Sequence, residues 1–195
     1  MKKSTLLLMT SLCLGGVASY GAVTVQIISN AATGQVQDST GTALPDGSLM
    51  RVGFFDLDPI TGLGSLSASQ LLDSSLVEPF FTEFTTFTSA SGNFLENDNT
   101  LDATNVGDQV YLWVFNSPLP ATASEYGIFS SSTWNSPADT GSLNMVSSAI
   151  NETVVGSTDG SAPTNFLLTA VPEPAHYAAL VGLIGLGVVI WRRRR

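Results

Sequence analysis

Three reactive side chains are missing from most of this 195-residue sequence: residues 22 to 170 contain no cysteine, no histidine and no lysine. The one cysteine is Cys13 and the one histidine is His176. Without these groups the interval cannot form a disulfide, a thiolate or imidazole metal site, a Ser-His-Asp or Cys-His catalytic set, or a Schiff base. Those classes of enzyme and metal centre are excluded for it, and its fold must be held by an apolar core.

Positive charge is equally scarce in the same interval. Two of the seven basic residues are Lys2 and Lys3, and four are the last four residues, which leaves Arg51 alone between residues 22 and 170. One of the 16 acidic residues, Glu173, lies outside, which leaves 15 acidic residues and a formal charge of −14. Such a surface repels the phosphates of nucleic acids and favours cations or cationic partners. We therefore expect no nucleic-acid binding.

The first 21 residues have the three parts of a secretory signal peptide. Lys2 and Lys3 form the basic region, residues 6–17 form the apolar region, and small residues follow. Cleavage after Ala18 or Gly21 would place small residues at the critical positions. We expect the general secretion machinery and signal peptidase to act on this segment. The alternative is an uncleaved N-terminal anchor.

The last 25 residues form a second targeting segment with three parts. Pro172 and Pro174 lack backbone donors and fix φ, so the chain around Glu173 is expected to be extended. Residues 175–191 carry no charge at neutral pH and would make roughly 26 Å of helix, close to the hydrocarbon thickness of a bilayer. Trp191 and four arginines follow, and such a basic cluster stays on the cytoplasmic side. The sequence therefore predicts a transmembrane helix whose preceding domain lies outside, and the membrane stop consists of Trp191, Arg192, Arg193, Arg194 and Arg195.

Residues 171–195 resemble the PEP-CTERM sorting signal, because the Pro172-Glu173-Pro174 motif, a short glycine-bearing apolar segment and terminal arginines occur in that order. In that family the signal is a substrate of exosortase, a membrane-embedded transpeptidase-like enzyme that cuts near the motif. The resemblance implies that exosortase is a partner and that the preceding domain is released or transferred. The alternative is an ordinary C-terminal anchor.

Between these ends the sequence predicts β-structure, because Ser, Thr, Asn, Asp and Gly clusters separate short runs of β-branched and aromatic residues. Alternation of apolar and polar side chains predicts a first strand over residues 23–28. Further strands are expected at residues 49–55, 110–115, 126–129, 143–146, 153–155 and 165–170, with residues 110–115 buried on both faces. The predicted fold class is mostly β: a single β-sandwich or jelly-roll-like domain over residues 22–170, flanked by a signal peptide and a C-terminal transmembrane helix.

Two segments are expected to depart from strand structure. Ser67 and Gln70 have the spacing of a capping box, which predicts a helix over residues 67–77. Residues 89–107 are polar and are predicted to form a long loop, and Trp134 is placed in a turn.

Four phenylalanines occur among threonines in a short stretch. If exposed, they would form a sugar-stacking or adhesive face, and if buried they belong to the core. We interpret them as core residues: Phe80, Phe81, Phe84 and Phe87.

Carboxylates by themselves can supply the acid and base of one class of enzyme. A pair of them can hydrolyse glycosides, with one acid protonating the leaving oxygen while the other acts as nucleophile or base. The alternative is that they are solvated surface residues, and no catalytic residue is predicted. The candidates are Asp56, Asp58, Glu78, Glu83 and Glu125.

Oxygen ligands for a hard cation are concentrated between residues 96 and 108. Asp98, Thr100 and Asp102 begin like a calcium loop, but Ala103 stands where the sharp turn needs glycine and Gln109 where the bidentate carboxylate belongs. Calcium is thus the one candidate cofactor, and a solvated acidic loop is the alternative.

The sequence as a whole predicts an exported protein held at the inner membrane by its C-terminal helix until exosortase processes it, and then located at the cell surface or in the extracellular matrix. Its role there would be structural or polysaccharide-binding and not catalytic. Two alternatives remain open: a matrix-directed carbohydrate-active enzyme that uses carboxylates, and a permanently anchored periplasmic binding domain.

Overall fold

The chain folds mostly into β-strands, as its sequence predicts. A computed structural model describes residues 23–90, 93–101, 105–138, 140–171 and 192. The predicted signal peptide, the apolar segment 175–191 and the Pro-Glu-Pro motif lie outside the described residues. The strands are β1 (Val23–Ser29), β2 (Val36–Gln37), β3 (Leu49–Phe55), β4 (Phe81–Thr88), β5 (Phe94–Leu101), β6 (Gln109–Phe115), β7 (Glu125–Asn135), β8 (Ser142–Val146), β9 (Glu152–Val155), β10 (Ser157–Thr158), β11 (Phe166–Leu167) and β12 (Thr169–Ala170).

The described strands form three sheets. The largest has the order β12-β7-β6-β3-β4, and β9 also pairs with β7. A second sheet has the order β5-β1-β8, in which β1 is antiparallel to β5 and parallel to β8. A short third sheet joins β10, β11 and β2. This layered arrangement of sheets is compatible with a β-sandwich.

One apolar core joins the second sheet to the largest sheet. Val23, Val25 and Ile27 of β1 are buried and alternate with half-buried polar neighbours, which confirms the predicted strand. They share a cluster with residues of β3 and β6, including Met50 and Leu112. The side chains of β1 therefore alternate in burial because one face of its sheet packs against the core.

A second core lies on the other face of the largest sheet. Successive residues of β6 belong alternately to the two cores, so the predicted burial of this strand on both faces is confirmed. Leu63 and Val77, from the segment between β3 and β4, cover this second face. The three β6 residues in the second core are Tyr111, Trp113 and Phe115.

The predicted helix over residues 67–77 is wrong in length. The segment forms a 3-10 turn (Gln70–Leu72) and a one-turn helix, α1 (Ser74–Val77), separated by Asp73 in an extended conformation. The capping-box contacts do form, because the Ser67 amide donates to the Gln70 side chain at 2.9 Å and the Gln70 amide donates to Ser67 Oγ at 3.4 Å. Asp73 then caps α1 through the Ser75 amide, and this second cap divides the helix.

The predicted long loop over residues 89–107 is also wrong, because β5 occupies its centre. This strand pairs with β1 and buries Phe94, so partner strand and core decide its structure despite its polar sequence. Trp134 belongs to β7 and is buried, where the sequence predicted a turn. The interpretation of the clustered phenylalanines is confirmed: Phe87 is buried, and Phe84, Phe80 and Phe81 pack against the two cores.

Candidate functional site

Two of the candidate catalytic carboxylates meet at Arg51, in the middle of β3. Glu83 Oε2 accepts from Arg51 Nε at 2.6 Å, and Glu78 Oε2 accepts from Arg51 Nη1 at 2.6 Å. Burial lowers the pKa of Arg51, but the two carboxylates outweigh it and raise the pKa above its ordinary value. The one arginine between residues 22 and 170 therefore offsets part of the negative charge of two carboxylates at once.

The Arg51 guanidinium also contacts two aromatic rings. It lies 4.6 Å from the centre of the Phe81 ring and 5.1 Å from that of Trp113, and its side chain is only 12% exposed. A planar cation held by aromatic faces and two carboxylates has few ways to move. Through these contacts Arg51 of β3 connects β4 and the segment before it to aromatic residues of the second core.

Asp56 and Asp58 stabilise the turn that follows β3. Asp58 Oδ1 accepts from the amides of Ile60 and Thr61 at 2.7 and 2.8 Å, and these hydrogen bonds lower the pKa of Asp58. Asp56 Oδ1 accepts from the Asp58 amide at 3.0 Å. Such side-chain to backbone bonds are typical of aspartates that initiate turns.

Glu125 lies apart from the other four candidates, at the start of β7. Its carboxylate accepts from the Ser39 amide at 2.8 Å and from Ser39 Oγ at 2.6 Å. These bonds tie the loop after β2 to the large sheet. Of the five candidate carboxylates, the structure therefore joins Glu78 to Glu83 through Arg51 and Asp56 to the backbone of Asp58.

Two of the three calcium candidates, Asp98 and Thr100, lie on a strand and not in a loop. Asp98 is part of β5, opposite Val25 of β1, and Asp98 Oδ2 accepts from Thr85 Oγ1 at 2.9 Å. Thr100 is also in β5, but its side chain and the whole of Asp102 lie outside the description. An extended backbone does not wrap around a cation as a calcium loop does. Within the described residues, no three His, Cys, Asp or Glu side chains are grouped so that they could hold a metal ion.

The Pro-Glu-Pro segment that the sequence analysis predicts to be a sorting motif begins directly after the last residue described in this domain. β12 pairs with the start of β7, Ala170 lying opposite Glu125, and the Val171 amide donates to the Ser124 carbonyl at 2.8 Å. The motif residues Pro172, Glu173 and Pro174 lie outside the described residues, as do Trp191 and Arg193, Arg194 and Arg195. In the described part of the chain, no helix combines the length and the hydropathy that crossing a membrane requires.

An open cleft of about 680 Å³ lies beside Val171. It is lined by residues 69, 70 and 72–76 of the turns before β4, by Pro120, Ala121 and Ala123, and by Val171 itself. Tyr126 supports it, because its hydroxyl donates to the carbonyl of Leu71 within those turns. Burial, and secondarily the charge of Asp73, raise the pKa of Tyr126. Sequence reasoning missed this cleft, because three separate segments build it and none carries a distinctive motif.

The fold and these sites define a mostly-β protein whose described carboxylates serve turns, sheet edges and an arginine cluster. No protein-family model, no curated protein and no solved structure matches the chain.

Proposed function

We propose that this chain is an exported protein sorted by exosortase, and that its acidic β-domain is a non-catalytic structural or polysaccharide-binding component of the cell surface or extracellular matrix. The observation that carries the proposal is the order of segments: a signal peptide, a β-domain, then the Pro-Glu-Pro motif, an apolar run and arginines. The motif follows β12 without a linker, so cutting there would separate the domain from its anchor.

The position of β1 supports export of an intact domain. Val23 is fully buried, and β1 is the central strand of its sheet. Cleavage after Ala18 or Gly21 would leave this strand whole, whereas a cut a few residues later would remove core side chains. The predicted cleavage positions are therefore compatible with folding of the exported product.

The environment of the carboxylates supports a non-catalytic role. A glycosidase needs one carboxylic acid that stays protonated, usually through burial or a neighbouring carboxylate. Glu78 and Glu83 instead share a cation, Asp58 has a lowered pKa, and Glu125 accepts two hydrogen bonds from one serine. Glu78, Glu83 and Glu125 are thus engaged in contacts within the domain, and the lowered pKa of Asp58 favours its ionised form.

The arrangement of aromatic residues favours a structural role over sugar stacking. Every aromatic side chain of the described residues is buried or half-buried. We propose that the sheets form a β-sandwich, with the second sheet and the turns of residues 56–80 packed on opposite faces of the largest sheet. A polysaccharide would then meet hydroxyl, amide and carboxylate groups, which bind sugars directly or through cations.

The test is intact-mass measurement and C-terminal peptide mapping of the protein from its native host, with membrane and extracellular fractions kept apart. We expect an extracellular form that ends between Val171 and Pro174 and lacks the terminal arginines. A variant with Pro172→Ala and Pro174→Ala should stay in the membrane fraction at full length, while Pro118→Ala, at an exposed bend, serves as the control. Wild-type protein that keeps Trp191 and the arginines in every fraction would contradict sorting and leave a plain anchor.

A further inference from the structure

The cleft beside Val171 is lined by two chemically different kinds of residue. Hydroxyl, amide and carboxylate groups come from the turns before β4, in Ser69, Gln70, Asp73, Ser74 and Ser75. The other described lining residues are apolar: Leu72, Leu76, Pro120, Ala121, Ala123 and Val171. A ligand that satisfies both kinds must display hydrogen-bonding groups and apolar surface side by side.

The polar residues of the cleft keep capacity for further hydrogen bonds. Gln70 Oε1 accepts from the Ser67 amide at 2.9 Å and from the Ser67 hydroxyl at 2.8 Å, which leaves the Gln70 Nε2 group as a donor. Asp73 Oδ1 accepts from the Ser75 amide at 3.0 Å and from the Ser75 hydroxyl at 2.6 Å, which leaves Asp73 Oδ2 as an acceptor. A donor and an acceptor in one cleft suit hydroxyl groups, because a hydroxyl can both donate and accept.

The charge of the cleft restricts the ligand further. Asp73 is the one ionisable side chain among the described lining residues. Arg51, the one basic residue between residues 22 and 170, is bound to Glu78 and Glu83 and does not line the cleft. An anionic ligand would therefore meet a like charge and no cation, which favours an uncharged ligand.

The polar part of the cleft is held in place by contacts within the domain. The Tyr126 hydroxyl donates to the Leu71 carbonyl, and Asp73 caps α1 through the Ser75 amide. Leu71 and Leu72 pack against the second core. Because these contacts already order the turns, binding would cost little further conformational entropy.

We propose that this cleft binds a short segment of a neutral polysaccharide and discriminates against acidic sugars. The sugar hydroxyls would bond to the polar groups of the turns, and the C–H groups of the rings would contact the apolar residues. The volume of about 680 Å³ lies within the range typical of small-molecule sites, roughly 300 to 1,000 Å³. The inference deepens the polysaccharide-binding role proposed above, on which it rests, and is independent of sorting.

The experiment is a titration of the purified full chain, in a detergent that carries no sugar, followed by saturation-transfer NMR. The neutral probes are cellotetraose, maltotetraose, laminaritetraose and mannotetraose, and the acidic probe is tetragalacturonate. Ala121→Phe, at an exposed position of the cleft, fills it with a ring, while Ala31→Phe makes the same change in an exposed turn that does not line the cleft.

We expect at least one neutral tetrasaccharide to bind, and tetragalacturonate to bind at least about tenfold more weakly. Ala121→Phe should weaken the neutral sugar at least about tenfold, and Ala31→Phe should leave its affinity unchanged. An unchanged urea midpoint shows that each variant is folded, and Ala121→Leu replaces Ala121→Phe if it is not.

Three results would overturn the proposal. They are the absence of binding by every neutral probe, equal affinity for tetragalacturonate, and binding that Ala121→Phe leaves intact. The last result would place sugar binding elsewhere on the domain and leave the broader polysaccharide-binding role standing. Sorting is tested separately by the mass of the protein from its host, so either proposal can fail alone.

Discussion

At the scale of single residues, two buried tyrosines differ in whether the hydroxyl group has a hydrogen-bond partner. Tyr126 donates to the Leu71 carbonyl, whereas the Tyr111 hydroxyl has no hydrogen-bond partner among the described residues. Removing the Tyr126 hydroxyl leaves the Leu71 carbonyl without that hydrogen bond, whereas removing the Tyr111 hydroxyl leaves no group unpaired. We expect Tyr126→Phe to lower the free energy of unfolding by about 1 to 2 kcal/mol and Tyr111→Phe to change it by less than about 0.5 kcal/mol. Urea unfolding at pH 7 measures both, and equal losses would contradict this assignment.

Alkaline pH offers a second comparison with the Tyr111 variant. Burial, with a smaller contribution from Glu152, raises the pKa of Tyr111 to about 12. In the unfolded chain its pKa is about 10, so the unfolded state loses the proton first and stability falls as the pH rises from about 10 toward 12. Tyr111→Phe should therefore lose less stability over that range than wild type, as measured by urea midpoints. If the urea midpoint of the Tyr111→Phe variant fell with pH as steeply as that of wild type, the raised pKa of Tyr111 would be contradicted.

Asp159 should make stability depend on acidic pH. Its carboxylate accepts from the Ser161 amide and hydroxyl and from Asn165, and these hydrogen bonds lower its pKa well below the ordinary range. The unfolded state takes up the proton first, near pH 4, so this stabilisation is present above that pH and is lost as the pH falls. We expect Asp159→Ala to be less stable than wild type at pH 7 and to lose less between pH 5 and pH 2. Parallel urea-midpoint curves for the two proteins would refute this.

At the scale of elements, the bulge between β3 and β4 depends on one glycine. The register shifts between Val52 and Gly53, and a Cβ at Gly53 would collide with the backbone carbonyl of Thr82 and lie 2.6 Å from the Phe81 ring. Because the Thr82 carbonyl is a backbone group and cannot rotate away, the two strands would have to separate to accept a Cβ at Gly53. We expect Gly53→Ala to cost about 2 to 3 kcal/mol in urea unfolding. Thr86→Ala, at an exposed position of β4, is the control and should stay within about 0.5 kcal/mol of wild type.

The elements also show how far local patterns predict this fold. β1 and β6 were predicted because burial on one face or on both leaves a readable pattern of apolar residues. β5 was not, because its structure comes from pairing with β1 and from the burial of Phe94. The prediction of one helix over residues 67–77 was wrong because Asp73 caps a second, shorter helix within that segment.

At the scale of the whole molecule, the charge of −14 between residues 22 and 170 should make folding sensitive to salt. Compaction brings 15 acidic side chains together, and only Arg51 offsets them. Screening weakens this repulsion more than it weakens the one arginine cluster. We expect the thermal midpoint to rise by several degrees between about 10 mM and 500 mM sodium chloride. A midpoint that falls with salt would show that favourable ion pairs outweigh the repulsion.

A comparison of calcium with magnesium distinguishes general screening of the negative charge from binding at a calcium site. If Asp98 belongs to such a site, calcium should raise the thermal midpoint more than magnesium does at equal ionic strength, since calcium accepts more irregular oxygen ligands. Asp98→Asn should abolish the difference, whereas Asp46→Asn should leave it. Equal effects of the two ions on wild type would contradict the calcium prediction.

The sequence by itself determined the mostly-β character of the domain, the alternating strand β1 and the apolar strand β6, the excess of negative charge, and the catalytic classes that missing side chains exclude. These properties are local or compositional, so they need no knowledge of which segments meet. Only the tertiary structure decided that Glu78 and Glu83 share Arg51, that β5 is a strand, and that the turns of residues 69–76 form a cleft beside Val171. Each of those depends on residues far apart in the chain, brought together by strand pairing and by burial of two cores, and no short-range spacing records such contacts.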